Sequence, residues 1–203
     1  AGDFNKKFTI QSIAKLFNFT YSVIFLGLDD YKKKVGLNAT GQAFNKLNFN
    51  SDKLELGGLN PFVNAGAIST VSLFPGNSYH KKLARVSRFY NQILPDGAVL
   101  KIDKQVFDSE MKTNQSNLKL AMLLNVYGKL YSKPESSLKL YTYIGASLIT
   151  AKQLAQMSAF LMRGGIDPFT GKVITSNNNI ESILSATSIS GMYDNAGHYL
   201  SSV

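Results

Sequence analysis

The sequence predicts a mostly helical single domain with few strands, and three observations carry that expectation. Apolar residues recur at three- and four-residue intervals in several stretches. Capping residues and glycine or proline stops bracket those stretches. Runs with strict two-residue alternation are scarce.

The first helix is expected from about Ile10 to Leu26. Thr9 is its predicted cap, Ile13, Phe17, Tyr21, Ile24 and Leu28 form its apolar face, and Gly27 is its stop. A turn-rich stretch follows, marked by Gly36, Asn38, Thr40-Gly41, Gly57-Gly58 and Asn60-Pro61. The small residues of NAGAISTVSLF, Asn64 to Phe74, suit a helix that lies close against a neighbour. Pro75-Gly76-Asn77 ends it. Tyr79 to Ile93 reads as a helix closed by Pro95-Asp96-Gly97, and Val99 to Val106 is short and ambiguous. Gln115 to Tyr127 is a predicted helix capped by Asn114 and ended by Gly128, with Leu118, Met122 and Leu123 inward. TAKQLAQMSAFLMRGG has a Thr150–Gln153 capping box, a Leu154, Met157 and Leu161 stripe, and a stop at Gly164. A last helix is expected over Asn179 to Ala186.

Composition narrows the chemistry. The chain has 203 residues, 44% apolar and 17% charged, as expected of one globular domain with a core. It contains no cysteine, which excludes disulfides, a thiol nucleophile and thiolate metal ligands within these residues. His80 and His198 are the only imidazoles, too few for a histidine-rich metal site, and both read as structural or surface groups. The longest apolar stretch, Phe17 to Leu28, is too short and too polar to span a bilayer. AGDFN has neither the basic start nor the apolar run of a signal peptide. A cytoplasmic protein is therefore expected. The net charge is +9, but the lysines are scattered, the densest cluster being Lys32 to Lys34. No nucleic-acid-binding motif accompanies them, so no nucleic-acid partner is expected.

Within FTIQSIAKLF, Ser12 and Lys15 stand three apart, a spacing that puts both on one helical face. A serine hydroxyl becomes a useful nucleophile once a neighbouring base takes its proton. A lysine amine serves as that base when burial lowers its pKa. Ser-x-x-Lys occurs five times, at Ser12, Ser78, Ser109, Ser116 and Ser136, so spacing alone cannot select one. Only Ser12 opens a strongly apolar helix, where its lysine has a reason to be dry.

Six blocks in order resemble the serine-dependent glutaminase family. GDFNKKFTIQSIAKLF is similar to its Gly-Asp, spacer, Phe-x-x-Gln-Ser-x-x-Lys opening. GLNATGQAFN resembles Gly-x-x-x-Ser-Gly-x-x-Phe-Asn, with Thr40 in place of serine. NPFVNAGAI resembles Asn-Pro-x-x-Asn-Ala-Gly-Ala-Ile. SEMKTNQSN keeps Ser-Glu and an asparagine seven residues after the glutamate. MSAFLMRGGIDPFTGKVI and GMYDNAGHY resemble the Met-x-Ala-x-Leu-x-x-Gly-Gly and Gly-Met-Tyr-Asp-x-x-Gly blocks.

The resemblance implies an α/β (α+β) fold of the serine β-lactamase/transpeptidase-like kind, with this chain covering mainly its helical part. It implies hydrolysis of L-glutamine to L-glutamate and ammonia through a glutamyl-serine ester, with no metal or organic cofactor. Ser12 would be the nucleophile, Lys15 its base, Tyr193 the partner in proton transfer to the leaving ammonia, and the Ser12 N–H an oxyanion donor. Glu110 would receive the substrate ammonium, and Gln11, Asn64 and Asn117 its carboxylate and amide. Tyr141 would be the remaining contact, with Tyr143 as its competitor. Family members extend before and beyond these residues. The chain 1–203 is thus expected to be one catalytic domain shortened at both ends, weakly active or inactive alone, and prone to associate into a homo-oligomer. The alternatives are a non-catalytic helical binding module and a penicillin-recognising serine acylase. The latter is disfavoured because neither Ser-Asp/Tyr-x-Asn nor Lys-Thr/Ser-Gly occurs.

Overall fold

The computed structural model describes residues 2–38, 48–50, 55–57, 59–95 and 98–190, with 48–50 and 55–57 described as backbone only. Helices dominate, and a small antiparallel sheet supports them. The sheet has the order β1-β5-β4, with β1 at Lys7–Thr9, β4 at Lys101–Ile102 and β5 at Ser147–Thr150. Phe8 lies opposite Ile149, and Lys101 opposite Leu148. A separate pair joins β2 (Asn48–Asn50) to β3 (Glu55–Gly57), Phe49 opposite Leu56.

β1 leads through Ile10 into a 3-10 turn at Gln11–Ile13 and then α1, Ala14–Leu26. The sequence-based helix start at Ile10 is corrected here. Thr9 cannot cap α1, because its backbone belongs to the sheet, opposite Leu148. The predicted apolar face is corrected at its ends: Ile13 is exposed, and Leu28 starts a separate short helix, α2 (Leu28–Lys34), after Gly27. Phe17, Phe19, Tyr21 and Val23 are all buried, so α1 is apolar around most of its circumference. It is a central core helix, packed on α3 (Asn64–Ser72) and α9 (Asn177–Ser190).

The expectation for α3 holds, and its reason is visible at Gly66. A Cβ there would lie 1.8 Å from the Asn60 carbonyl oxygen. Asn60 is itself buried, and its Oδ1 accepts the N–H groups of Phe62 (2.9 Å) and Val63 (3.2 Å). The glycine thus lets α3 rest directly on the turn that precedes it.

α4 runs Tyr79–Ile93 as expected, capped by the Ser78 side chain. The ambiguous stretch after it resolves into β4 and then α5, Lys104–Thr113, capped by Asp103. Sequence reading did not anticipate α5, whose side chains are all at least partly exposed. α6 spans Gln115–Val126, but the Asn114 side chain makes no capping bond to it. Its inward residues are Ala121 and Leu124; Met122, expected inward, is exposed. α7 is Pro134–Gly145, and α8 is Ala151–Met162 with the expected capping box. α9 is longer at both ends than the predicted Asn179 to Ala186.

The capping box joins sheet to helix. Thr150 ends β5, its Oγ1 accepts from Gln153 N–H (3.1 Å), and its own N–H reaches Gln153 Oε1 (3.0 Å). Thr150→Ala is expected to cost ~1 kcal/mol. In a thermal melt that is a fall of about 2–4 °C; an unchanged midpoint would count against the box as a stabilising device.

Candidate active site

Six of the predicted residues line one cleft of about 280 Å3: Gln11 and Ser12 from the 3-10 turn, Asn64 from α3, Glu110 from α5, Asn117 from α6 and Tyr141 from α7. A narrow extension of about 30 Å3 is bounded by Ser12, Lys15, Asn18 and Tyr141 among others. Together they sit near the small end of ligand clefts, suiting a ligand of amino-acid size.

Ser12 is exposed at the mouth, and Lys15 is only 3% exposed below it. The other four Ser-x-x-Lys pairs end in Lys81, Lys112, Lys119 and Lys139, all exposed. Burial therefore makes the selection that spacing could not. Lys15 Nζ donates to the Phe62 carbonyl (2.9 Å) and to Asn64 Oδ1 (2.8 Å). Burial lowers its pKa from 10.5 to about 8. A neutral amine has two N–H groups and one lone pair, and two neutral oxygens accept the former. Neither acceptor is a carboxylate that would hold the ammonium form.

The asparagines act in series. Asn64 Nδ2 donates to Asn117 Oδ1 (3.2 Å), and the Tyr141 hydroxyl lies 3.5 Å from Asn64 Oδ1, a long contact. Neither asparagine is a helix cap: Val63 and Asn114 occupy those positions. Tyr143 lines neither part of this cleft and packs its ring edge-on to Phe107. Gln11 has φ +49°, the one positive φ outside glycine among the described residues. A side chain held in that region marks strain, commonly stored at working sites. The turn aims its amide at Glu110, with Nε2 2.7 Å from Oε1. Tyr193, Thr40 and His198 lie outside the described residues. His80 is exposed on α4, next to the Tyr79 ring.

Sequence reasoning missed Asn18, buried one turn after Lys15 and lining the same extension. A polar residue between Phe17 and Phe19 on an apolar helix was the available signal.

A buried lysine beneath an exposed serine, ringed by amides and one carboxylate, is an arrangement that can activate a hydroxyl for nucleophilic attack. The glutaminase family profile matches residues 1–203. The chain belongs to the glutaminase family. It is 34% identical over 201 residues to a glutaminase of Colwellia psychrerythraea, covering 98% of this chain and 63% of that protein. A Brucella canis glutaminase is 35% identical over 206 residues, covering 98% and 62%, and one from Corynebacterium glutamicum 32% over 205 residues, covering 100% and 48%. The chain thus spans less than two thirds of these glutaminases. Among solved structures it superposes on a probable glutaminase of Bacillus subtilis with TM-score 0.92 at 28% identity, over 99% of this chain and 64% of that one. A Bacillus subtilis glutaminase in covalent complex with 5-oxo-L-norleucine, formed from 6-diazo-5-oxo-L-norleucine, gives 0.84 at 26%, over 99% and 63%. The chain has the β-lactamase-like fold of these glutaminases, its own share being mostly helical with a small sheet.

Proposed function

We propose that the protein hydrolyses L-glutamine to L-glutamate and ammonia, and that residues 1–203 belong to its single catalytic domain. The buried Lys15 amine beneath Ser12 carries this reading. Ser12 Oγ attacks the side-chain amide carbon while Lys15 takes the hydroxyl proton. The tetrahedral intermediate places its oxyanion by the first-turn backbone, where N–H groups lack helical acceptors. Ammonia leaves after gaining a proton, with Tyr193 as the relay, and the glutamyl ester on Ser12 remains. Water attacks that ester, and its proton returns through Lys15 to Ser12 as glutamate departs. The reading uses no metal or organic cofactor.

Glu110 receives the substrate ammonium, replacing its bond to Gln11. Gln11, Asn64, Asn117 and Tyr141 supply neutral donors and acceptors for the carboxylate and amide. An analogue lacking either charge leaves site groups unmatched and is rejected. The protein acts in the cytoplasm without nucleic acid or membrane, as a homo-oligomer. Met122 and Val126, exposed one turn apart on α6, supply apolar surface for self-association; sedimentation tests it.

The affinity label named above gives the direct test. Incubation of the full gene product with 6-diazo-5-oxo-L-norleucine should add one equivalent to Ser12, read by peptide mass spectrometry, and stop ammonia release from glutamine. No adduct, or one at another residue, would overturn the assignment.

A further inference from the structure

Asn18 and Tyr90 have no part in the scheme above, yet they meet directly beneath it. Asn18 is 2% exposed, and Tyr90 is fully buried on α4. The Tyr90 hydroxyl donates toward Asn18 Oδ1 (3.1 Å) and the Ala14 carbonyl (3.3 Å). Its ring is wedged against Phe17 and Phe89, with centroids 6.3 and 5.8 Å away. Burial keeps the phenol protonated well above the usual range, so the hydroxyl remains a donor. A donor on the oxygen end of the Asn18 amide leaves the NH2 end for the other side. There Asn18 helps bound the extension that holds Ser12 and Lys15. Residues three apart share a helical face, so Asn18 lies one turn along from Lys15.

We propose that Asn18 is a positioning residue for Lys15: Tyr90 locks its amide with the N–H end toward the amine, which favours the neutral base over the ammonium. This inference rests on the glutaminase reading only for its purpose. The N–H end is the positive end of the amide dipole, which disfavours a further proton on Nζ without occupying the lone pair that takes the Ser12 proton, so it acts in the same direction as burial. The other groups around Lys15 set the background. Glu110 from α5 lines the same extension and already bonds the Gln11 amide. Tyr141 from α7 and Asn64 from α3 approach from above, and Ser12 from the 3-10 turn. No arginine and no second lysine lines the extension among the described residues.

The test follows the Lys15 side-chain signal by NMR in the full gene product carrying isotopically labelled lysine, with Lys15→Met to assign the resonance. Tyr90→Phe leaves the volume beside Lys15 unchanged and frees the Asn18 amide to turn its oxygen toward the ammonium. The Lys15 midpoint should rise by about half a pH unit or more. Asn18→Ala should raise it as well, and Asn18→Asp by more than one unit. The low-pH limb of kcat/KM should move with each. An unmoved midpoint in Tyr90→Phe, or a fall in Asn18→Ala, overturns the proposal, since a purely structural pair would leave the amine alone. Because the NMR midpoint needs no turnover, it stands even where wild type releases no ammonia, and that outcome sinks the glutaminase reading instead.

Discussion

Lys15→Met is expected to lower the turnover of glutamine by at least about 10³-fold, the scale set by losing a positioned general base. Ser12→Ala should lose as much or more, and the double variant little beyond the worse single one, because the two act as a unit. Turnover within tenfold of wild type in Lys15→Met would mean that another group takes the serine proton. The pH dependence follows from the burial of the amine. In the proposed scheme Lys15 acts only when neutral, so kcat/KM should fall about tenfold per pH unit below a midpoint near 8 and level off above it.

The same variant also reads stability. The folded-state pKa of Lys15, about 8, lies below the ordinary 10.5, so the unfolded chain binds this proton more tightly. Stability therefore rises with pH between about 8 and 10.5 and is lower by a constant amount below that window. The full difference is ~3 kcal/mol. Lys15→Met removes that term and leaves the other titrating groups in place. The stability gap, wild type minus variant, should widen in favour of wild type by that order between pH 8 and 10.5 in urea titrations. A gap independent of pH would mean the amine is solvated. The bonds to Phe62 and Asn64 alter the offset between the two proteins, not this slope.

Gly66→Ala is expected to have the largest effect on stability. Alanine is the better helix former by ~1 kcal/mol. Its methyl group, however, would stand 1.8 Å from the Asn60 oxygen and 2.6 Å from the carbon behind it. Both are backbone atoms in a turn held by its own hydrogen bonds, so the helix or the turn must move. We expect a loss of about 3 kcal/mol or more, which is a fall of roughly 6–12 °C in the melting midpoint. Activity should fall too, because Phe62, whose carbonyl holds Lys15, belongs to the displaced turn. Gly145→Ala is the control: its Cβ would meet nothing closer than 3.8 Å. Equal losses in both would remove the clash as the explanation.

α4 appears at its expected bounds and α8 with its expected stripe and capping box, whereas α7 was not anticipated although it buries Leu138, Leu140 and Ile144. Nor were the strands. Lys7–Thr9 is too short for alternation to register, and pairing with Ile149 and its neighbours, not local preference, makes it extended. α2 and α5 escaped because they are short, charged and largely exposed. Met122 was misplaced because an apolar residue need not face inward, and Ala121 and Leu124 already fill that side. The site residues were named from motif order. Their meeting in one cleft depends on tertiary packing that no local pattern encodes. Asn18 had no motif to mark it.

The cleft borrows its side chains from a turn and from α1, α3, α5, α6 and α7, with partners as far apart in sequence as Ser12 and Tyr141. No single segment carries a usable fraction of it. A loosened globule at low pH that keeps its helices, with a full far-ultraviolet dichroism signal, would still have scattered the centre. On the proposed function, turnover is therefore a sharper gauge of native packing in this protein than helical content.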